Sequence, residues 1–433
     1  MGLAEIALIM FAVIFILVLS GYPVALVLGG VSTLFGLYFL GIGFFLLLPM
    51  RFMGVISNYV LLAVPLFVFM GVMLEKSGIA QRLLENMAQL FGRASGGLAV
   101  STMIVGALLA ASTGIVGATV ITMGLISLPV MLKNNYHPKV ATGVILSSGT
   151  LGQIIPPSIV LVLLGSVMNI SVGDLFAAAL IPSALLVTAY LLYIMMHAYV
   201  APHHMPALPK KRNQEDNINW TELVLSLLFP LLLIVVVLGS IFAGIASPTE
   251  AAGIGAFGAL ILAWFQKKLS VKVLRDVVRE TGLVTSMVFF ILLGATTFAL
   301  VFRGMGGDQF LVELITSSIS SPAMFLFLVM LALFIAGFFI DFIEIIFIFV
   351  PVLAPIMISY DFNMVWVAVL LALNLQTSFL SPPFGFALFY LRGVAPSEVR
   401  TISMYYGVLP FIAIQVFILL MVAVWPEIIL LGK

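Results

Sequence analysis

A chain of 433 residues that is 63% hydrophobic and 8% charged, with net charge +1 and mean hydropathy +1.29, lacks the polar side chains to cover a water-soluble globule. Its surroundings are the lipid bilayer: apolar runs near the length that crosses about 30 Å of hydrocarbon recur throughout, the pattern of an all-α polytopic membrane protein. The absence of cysteine excludes disulfides, thiolate metal sites and cysteine-held clusters, and there is no basic footprint for nucleic acid.

From the N terminus, spans are expected over residues 3–20, 24–48 and 55–75. The first has no basic leader and no small-residue cleavage signature, so it reads as a span and not a removed signal. Charged and apolar residues at helical spacing over Glu75–Arg93 predict an interfacial helix. Residues 97–132 are too long for one span and are interrupted by Ser112-Thr113-Gly114, the pattern of a reentrant hairpin that enters and leaves on one side. A span over 140–168 contains SSGTLGQIIPPSIV (147–160), where two glycines and two adjacent prolines predict a discontinuous helix. After a span over 176–199, the polar stretch 204–219, HMPALPKKRNQEDNIN, separates a first half, 1–203, from a second, 220–433. His137, His197, His203 and His204 lie near span entrances and this linker, where surface or interfacial roles are expected.

The second half repeats the order: spans over 221–245, 250–266 and 281–302, with an interfacial segment at Lys267–Arg279. Glu250 follows Ser247-Pro248-Thr249, a helix-start pattern. A second long stretch, 322–359, is interrupted at Asp341, and a second broken span, 363–390, carries Pro382-Pro383 before a last span over 402–431. Pro156-Pro157 and Pro382-Pro383 are 226 residues apart, as are Pro129 and Pro355, and Ile115 and Asp341.

With both long stretches as hairpins and the N terminus outside, fifteen basic residues fall inside and only Arg51, Arg303 and Lys433 outside. Both termini are then external. Five full crossings per half make the repeat inverted, the geometry of alternating access around a central site.

Broken backbone at membrane depth needs partners that lipid does not supply. In Ser148-Gly149-Thr150 and Asn374-Leu375-Gln376-Thr377-Ser378, hydroxyl and amide oxygens accompany the breaks, a ligand set suited to a hard cation such as Na+. The hairpin tips can direct free helix N-terminal amides toward an anion. Asp341 is the stronger ion-site candidate, and Glu344, three residues on, reads as packing or hydration. Close packing by small residues remains the alternative for any single Ser, Thr or Gly.

The segments Gly149–Ser158, Phe339–Ile356 and Asn374–Pro396 make the chain resemble, over its whole length, the large membrane (M) subunit of a tripartite ATP-independent periplasmic (TRAP) transporter. The resemblance implies a bacterial inner-membrane protein that imports an organic acid with Na+. It also implies delivery by a periplasmic substrate-binding protein and a small four-helix membrane subunit, expected here as a separate chain. An elevator is implied in which 97–168 and 322–390 move against a scaffold drawn mainly from 24–75 and 221–302. Carried over, Ser112, Thr113, Gly149 and Thr150 belong to one ion site and Gly337, Asp341, Thr377 and Ser378 to the other. Ser112, Thr113, Thr150, Asp341 and Ser378 also face substrate. Bulky Phe338, Phe339, Phe342 and Ile343 around the second tip depart from many relatives and are expected as core packing. A binding-protein-independent sodium/dicarboxylate carrier and an ion channel are the competing readings.

Overall fold

The computed structural model describes residues 2–91, 93–208 and 220–432. Residues 209–219 of the polar linker, with Lys210, Lys211 and Arg212, and Lys433 lie outside the described residues. In the first half, α1 (Leu3–Leu19), α2 (Val24–Phe39), α3 (Leu48–Ile56), α4 (Ala63–Lys76) and α5 (Ile79–Phe91) precede α6 (Gly97–Thr113) and α7 (Val116–Lys133). Then come α8 (Pro138–Thr150), α9 (Ile159–Met168) and α10 (Val172–Val200). In the second half, α11 (Trp220–Phe242), α12 (Pro248–Phe265), α13 (Val271–Gly304) and α14 (Gly307–Ser318) precede α15 (Pro322–Ala336), α16 (Phe342–Ile348) and α17 (Val350–Ser359). The chain ends with α18 (Met364–Leu380), α19 (Phe386–Val394) and α20 (Thr401–Val424), and no strand occurs among the described residues.

Local chemistry explains several of these boundaries. Ser171, Ser247, Ser270 and Ser321 accept amide N–H groups three residues on, and Asn363 caps Val365 and Trp366. Glu250 accepts from the Ser247 amide at 2.7 Å, closing a capping box. The helix-start reading of Glu250 therefore holds. Pro351 at the start of α17 lacks an amide N–H, and α16 and α17 meet at a bend of 54°.

Six stretches are long and apolar enough to cross a membrane alone among the described residues: Tyr59–Lys76, α7, α10, α12, α13 and α20. The bent pair α16–α17 makes a seventh.

Three expectations need correction. The span expected over 24–48 ends at Phe39, because Gly41 adopts φ 79° and redirects the chain into a short 3-10 turn and α3. Glu75–Arg93 is not one interfacial helix: Glu75 and Lys76 complete α4, Gly78 turns the chain with φ 70°, and α5 follows. Residues 271–304 form one helix of 34 residues in place of an interfacial segment and a separate span, since the break falls earlier, where Lys267 has φ 57°. Helix α14 has no counterpart among the expected elements.

The helices buried on all sides are the two that carry polar residues beside the breaks. Helix α8 is buried continuously from Ala141 to Thr150 and α18 from Trp366 to Leu380. Around α8 lie α6, α7 and α20; around α18 lie α9, α15, α10 and α20. On the other side, α2 packs on α13 and α4 on α12, α13 and α6.

Candidate functional site

At the first interruption α6 ends at Thr113, Gly114 takes the left-handed conformation (φ 61°), and α7 starts after Ile115. The polar groups of this tip largely satisfy one another. The Ser112 hydroxyl donates to Leu109 O at 2.9 Å, and the Thr113 and Thr119 hydroxyls meet at 2.8 Å. The tip rests on the break between α8 and α9: a Cβ at Gly114 would stand 3.2 Å from the Ile159 amide, and one at Gly152 would stand 2.6 Å from Ala110 O. Gly149 faces Val120 at similarly close range. Only glycine admits these approaches.

The second interruption is built differently. Asp341 caps α16, its Oδ1 accepting from the Phe342 amide at 2.6 Å, while Glu344 Oε2 accepts from the Asp341 amide at 3.4 Å. Both carboxylates thus have a helix-start function. Gly337 lies against the Ser378 hydroxyl, which a Cβ there would overlap. Phe339 faces Phe384 with ring centroids 5.4 Å apart, and Phe342 faces Phe379 at 5.7 Å. Core packing holds for Phe342 and Ile343, which are buried; Phe338 is half-buried on Phe334 at 5.0 Å, and Phe339 is 52% exposed, so it lies at the surface and not in the core.

The hydroxyls beside the breaks share one feature. Ser147, Ser148 and Thr150 donate to carbonyls of α8, and Thr377 and Ser378 to carbonyls of α18, at 2.7–3.1 Å. Their protons are committed and their oxygens remain acceptors, a chemistry that suits a cation. Asn374 Nδ2 donates to Met330 O at 2.8 Å and ties α18 to α15, and its Oδ1 remains an acceptor.

Each tip meets its own break, and the two units interleave. Helix α7 packs against α19, with Gly117 on the Tyr390 ring; α16 and α17 pack against α9; and α18 packs against α9 and the turn at 151–153.

Two glutamines stand at these breaks: Gln376, one of the amide oxygens expected beside the second break, and Gln153, which was not singled out from the sequence. Gln153 and Gln376 are fully buried, and neither the oxygen nor the nitrogen of either amide has a hydrogen-bond partner among the described residues. An unpaired buried amide costs roughly 1–3 kcal/mol, so both are available to a ligand that offers donors and acceptors. Burial without a partner is visible only once the helices are packed.

All four histidines of the chain gather at one place, the ends of α7 and α10 and the start of α8. His197 Nε2 and His204 Nδ1 are 3.1 Å apart, and the rings of His137 and His203 lie 5.0 and 4.3 Å from that of His204. His137 Nδ1 accepts from the Lys139 amide at 3.2 Å and so caps α8 in its neutral form. Its pKa is held below the ordinary histidine value, by burial first and then by His204, Lys139 and His203. No group of three or more His, Asp or Glu is arranged to hold a metal ion among the described residues.

Buried polar groups collected at helix breaks in a multi-span all-helical chain are an arrangement found in membrane transporters. Residues 11–428 match the family model described as "Tripartite ATP-independent periplasmic transporter, DctM component". The chain belongs to this family, as the large permease subunit of a TRAP transporter. It is 32% identical over 339 residues to the C4-dicarboxylate TRAP transporter large permease protein DctM of Pseudomonas aeruginosa, covering 78% of each chain. It is 30% identical to the sialic acid TRAP transporter large permease protein SiaM of Vibrio cholerae, covering 94% of this chain and 95% of that one. In fold it resembles the YdaH transporter of Alcanivorax borkumensis, with a TM-score of 0.63 at 14% identity over 89% of each chain.

Proposed function

We propose that this permease imports an organic acid together with Na+, receiving it from a periplasmic substrate-binding protein and working beside a small four-helix membrane subunit in the bacterial inner membrane, with both termini periplasmic. The observation that carries the reading is the interleaving of two oxygen-rich tip-and-break units around α8 and α18. One ion site takes Ser112, Thr113, Gly149 and Thr150; the other takes Gly337, Asp341, Thr377 and Ser378. Substrate meets Ser112, Thr113, Thr150, Asp341 and Ser378 between them, with Gln153 and Gln376 as further amide partners. The relatives named for C4-dicarboxylate and sialic acid support an acid as cargo.

An elevator accounts for the arrangement. The N-cap residues Ile115 and Asp341 and the left-handed residues Asn135 and Asp361 are each 226 positions apart, which supports two inverted repeats with reentrant hairpins α6–α7 and α15–α17. Units 97–168 and 322–390 travel together, because each hairpin packs on the other half's broken helix, while 24–75 and 221–302 form the scaffold. The test is uptake by the complex reconstituted with its partners. Replacing Na+ by choline, with any proton gradient collapsed, is expected to abolish uptake; undiminished uptake would reject Na+ coupling.

A further inference from the structure

Helix α4 presents Gly71 and Glu75, one helical turn apart, to the first hairpin. At Gly71 a Cβ would overlap Thr113 and stand 2.7 Å from Ser112 O, so α4 and the tip are in backbone contact. One turn further, Thr122 of α7 donates to Glu75 Oε1 at 2.6 Å. Glu75 Oε2 is buried and has no hydrogen-bond partner among the described residues. The neighbouring Lys76 is engaged elsewhere, its Nζ 3.1 Å from Glu280 Oε2 on α13. The Thr122 hydroxyl is therefore the one hydrogen-bond donor that the described residues give this buried carboxylate.

The second half has no equivalent. The left-handed turns at Gly78 and Gly306 place the ends of α4 and α13 228 residues apart, so Glu75 is matched by the exposed Arg303 on α13, while 226 residues after Thr122 stands the fully buried Ile348 on α16, which has no side-chain hydrogen-bonding group. A carboxylate at the membrane is tolerated only while it is solvated or bonded. Moving the first hairpin along α4 takes Thr122 away from Glu75, whereas moving the second along α13 breaks no such bond.

We propose that Glu75 and Thr122 form a one-sided polar latch between scaffold and first hairpin, which positions the transport unit and weights the carrier toward the arrangement seen here. The latch rests on the elevator reading above. Hydrogen bonds to charged acceptors are strong enough that losing this one shifts a two-state equilibrium by about tenfold or more.

The chain has no cysteine, so spin labels at Leu125→Cys on α7 and Leu283→Cys on α13, both exposed positions, report the distance between hairpin and scaffold. The protein is assembled with its partners, and only the fraction that elutes as the intact complex is measured, with and without Na+. Thr122→Val, which exchanges a hydroxyl for a methyl group, and Glu75→Leu are expected to deplete the docked distance about tenfold relative to the second distance. Thr122→Ser and Glu75→Gln keep a donor and an acceptor and should restore it. Two distances in the unsubstituted latch whose weights do not change in Thr122→Val would overturn the latch and leave the elevator standing. A single distance that never changes with Na+ would overturn the elevator and the latch with it.

Discussion

Asp341 combines two roles that substitution can separate. Its Oδ1 caps α16 through the Phe342 amide, and its charge is the one carboxylate of the proposed second ion site. Asp341→Asn keeps an oxygen for the cap and removes the charge; Asp341→Ala removes both, at a cost of about 1 kcal/mol in helix stability. Both variants should assemble and lose Na+-dependent uptake, Asp341→Ala with the lower melting temperature, while Glu344→Gln retains more uptake. Full Na+-dependent transport in Asp341→Asn would remove Asp341 from the ion site and leave it a capping residue. At this scale the sequence was informative where partners are near. The Glu250 capping box and the Asp341 tip each depend on residues within three positions. It was silent on the partner of Asn374, Met330, 44 residues away, and on that of Glu75, Thr122, 47 away.

Among the elements, α4 meets the α6–α7 tip in backbone contact, which joins the proposed scaffold to the moving unit. Gly71→Ala would place a methyl group against Thr113, and overpacking of this kind costs typically about 1–3 kcal/mol. The expected result is a complex that assembles, melts at lower temperature and transports more slowly. Unchanged melting and uptake would mean that the tip is not held against α4. Breaks made by glycine and proline were legible here: the tip at Gly114 and the interruption after Thr150 fall where the sequence puts them. Helix continuity was less so. Nothing in the apolar run of 24–48 announces that Gly41 turns the chain, and the charged start of α13 continues without interruption into its apolar part.

For the whole molecule, the elevator predicts a rigid displacement. Labels at Leu125 on α7 and Phe389 on α19, exposed positions from the two halves, should move together along the membrane normal relative to Leu283 on α13 when conditions change from inward- to outward-favouring. Opening of the tips at unchanged height would rule this motion out in favour of rocking about a fixed site.

Hydropathy, proline and glycine spacing and the polar interruptions determined by themselves that this chain lives in a bilayer, that its helices break at four places, and that those breaks recur at a 226-residue interval. Each of these is a property of backbone chemistry within a few residues, which lipid enforces because it satisfies no free amide or carbonyl. Tertiary structure alone decided which breaks meet, that Gln153 and Gln376 are buried without hydrogen-bond partners among the described residues, that four scattered histidines converge, and that Glu75 reaches Thr122. In water an amphipathic stripe tells a helix which face to bury. In lipid the outward face is as apolar as the inward one, so hydropathy says where the chain crosses and leaves the choice of facing partners to close packing and hydrogen bonds between helices.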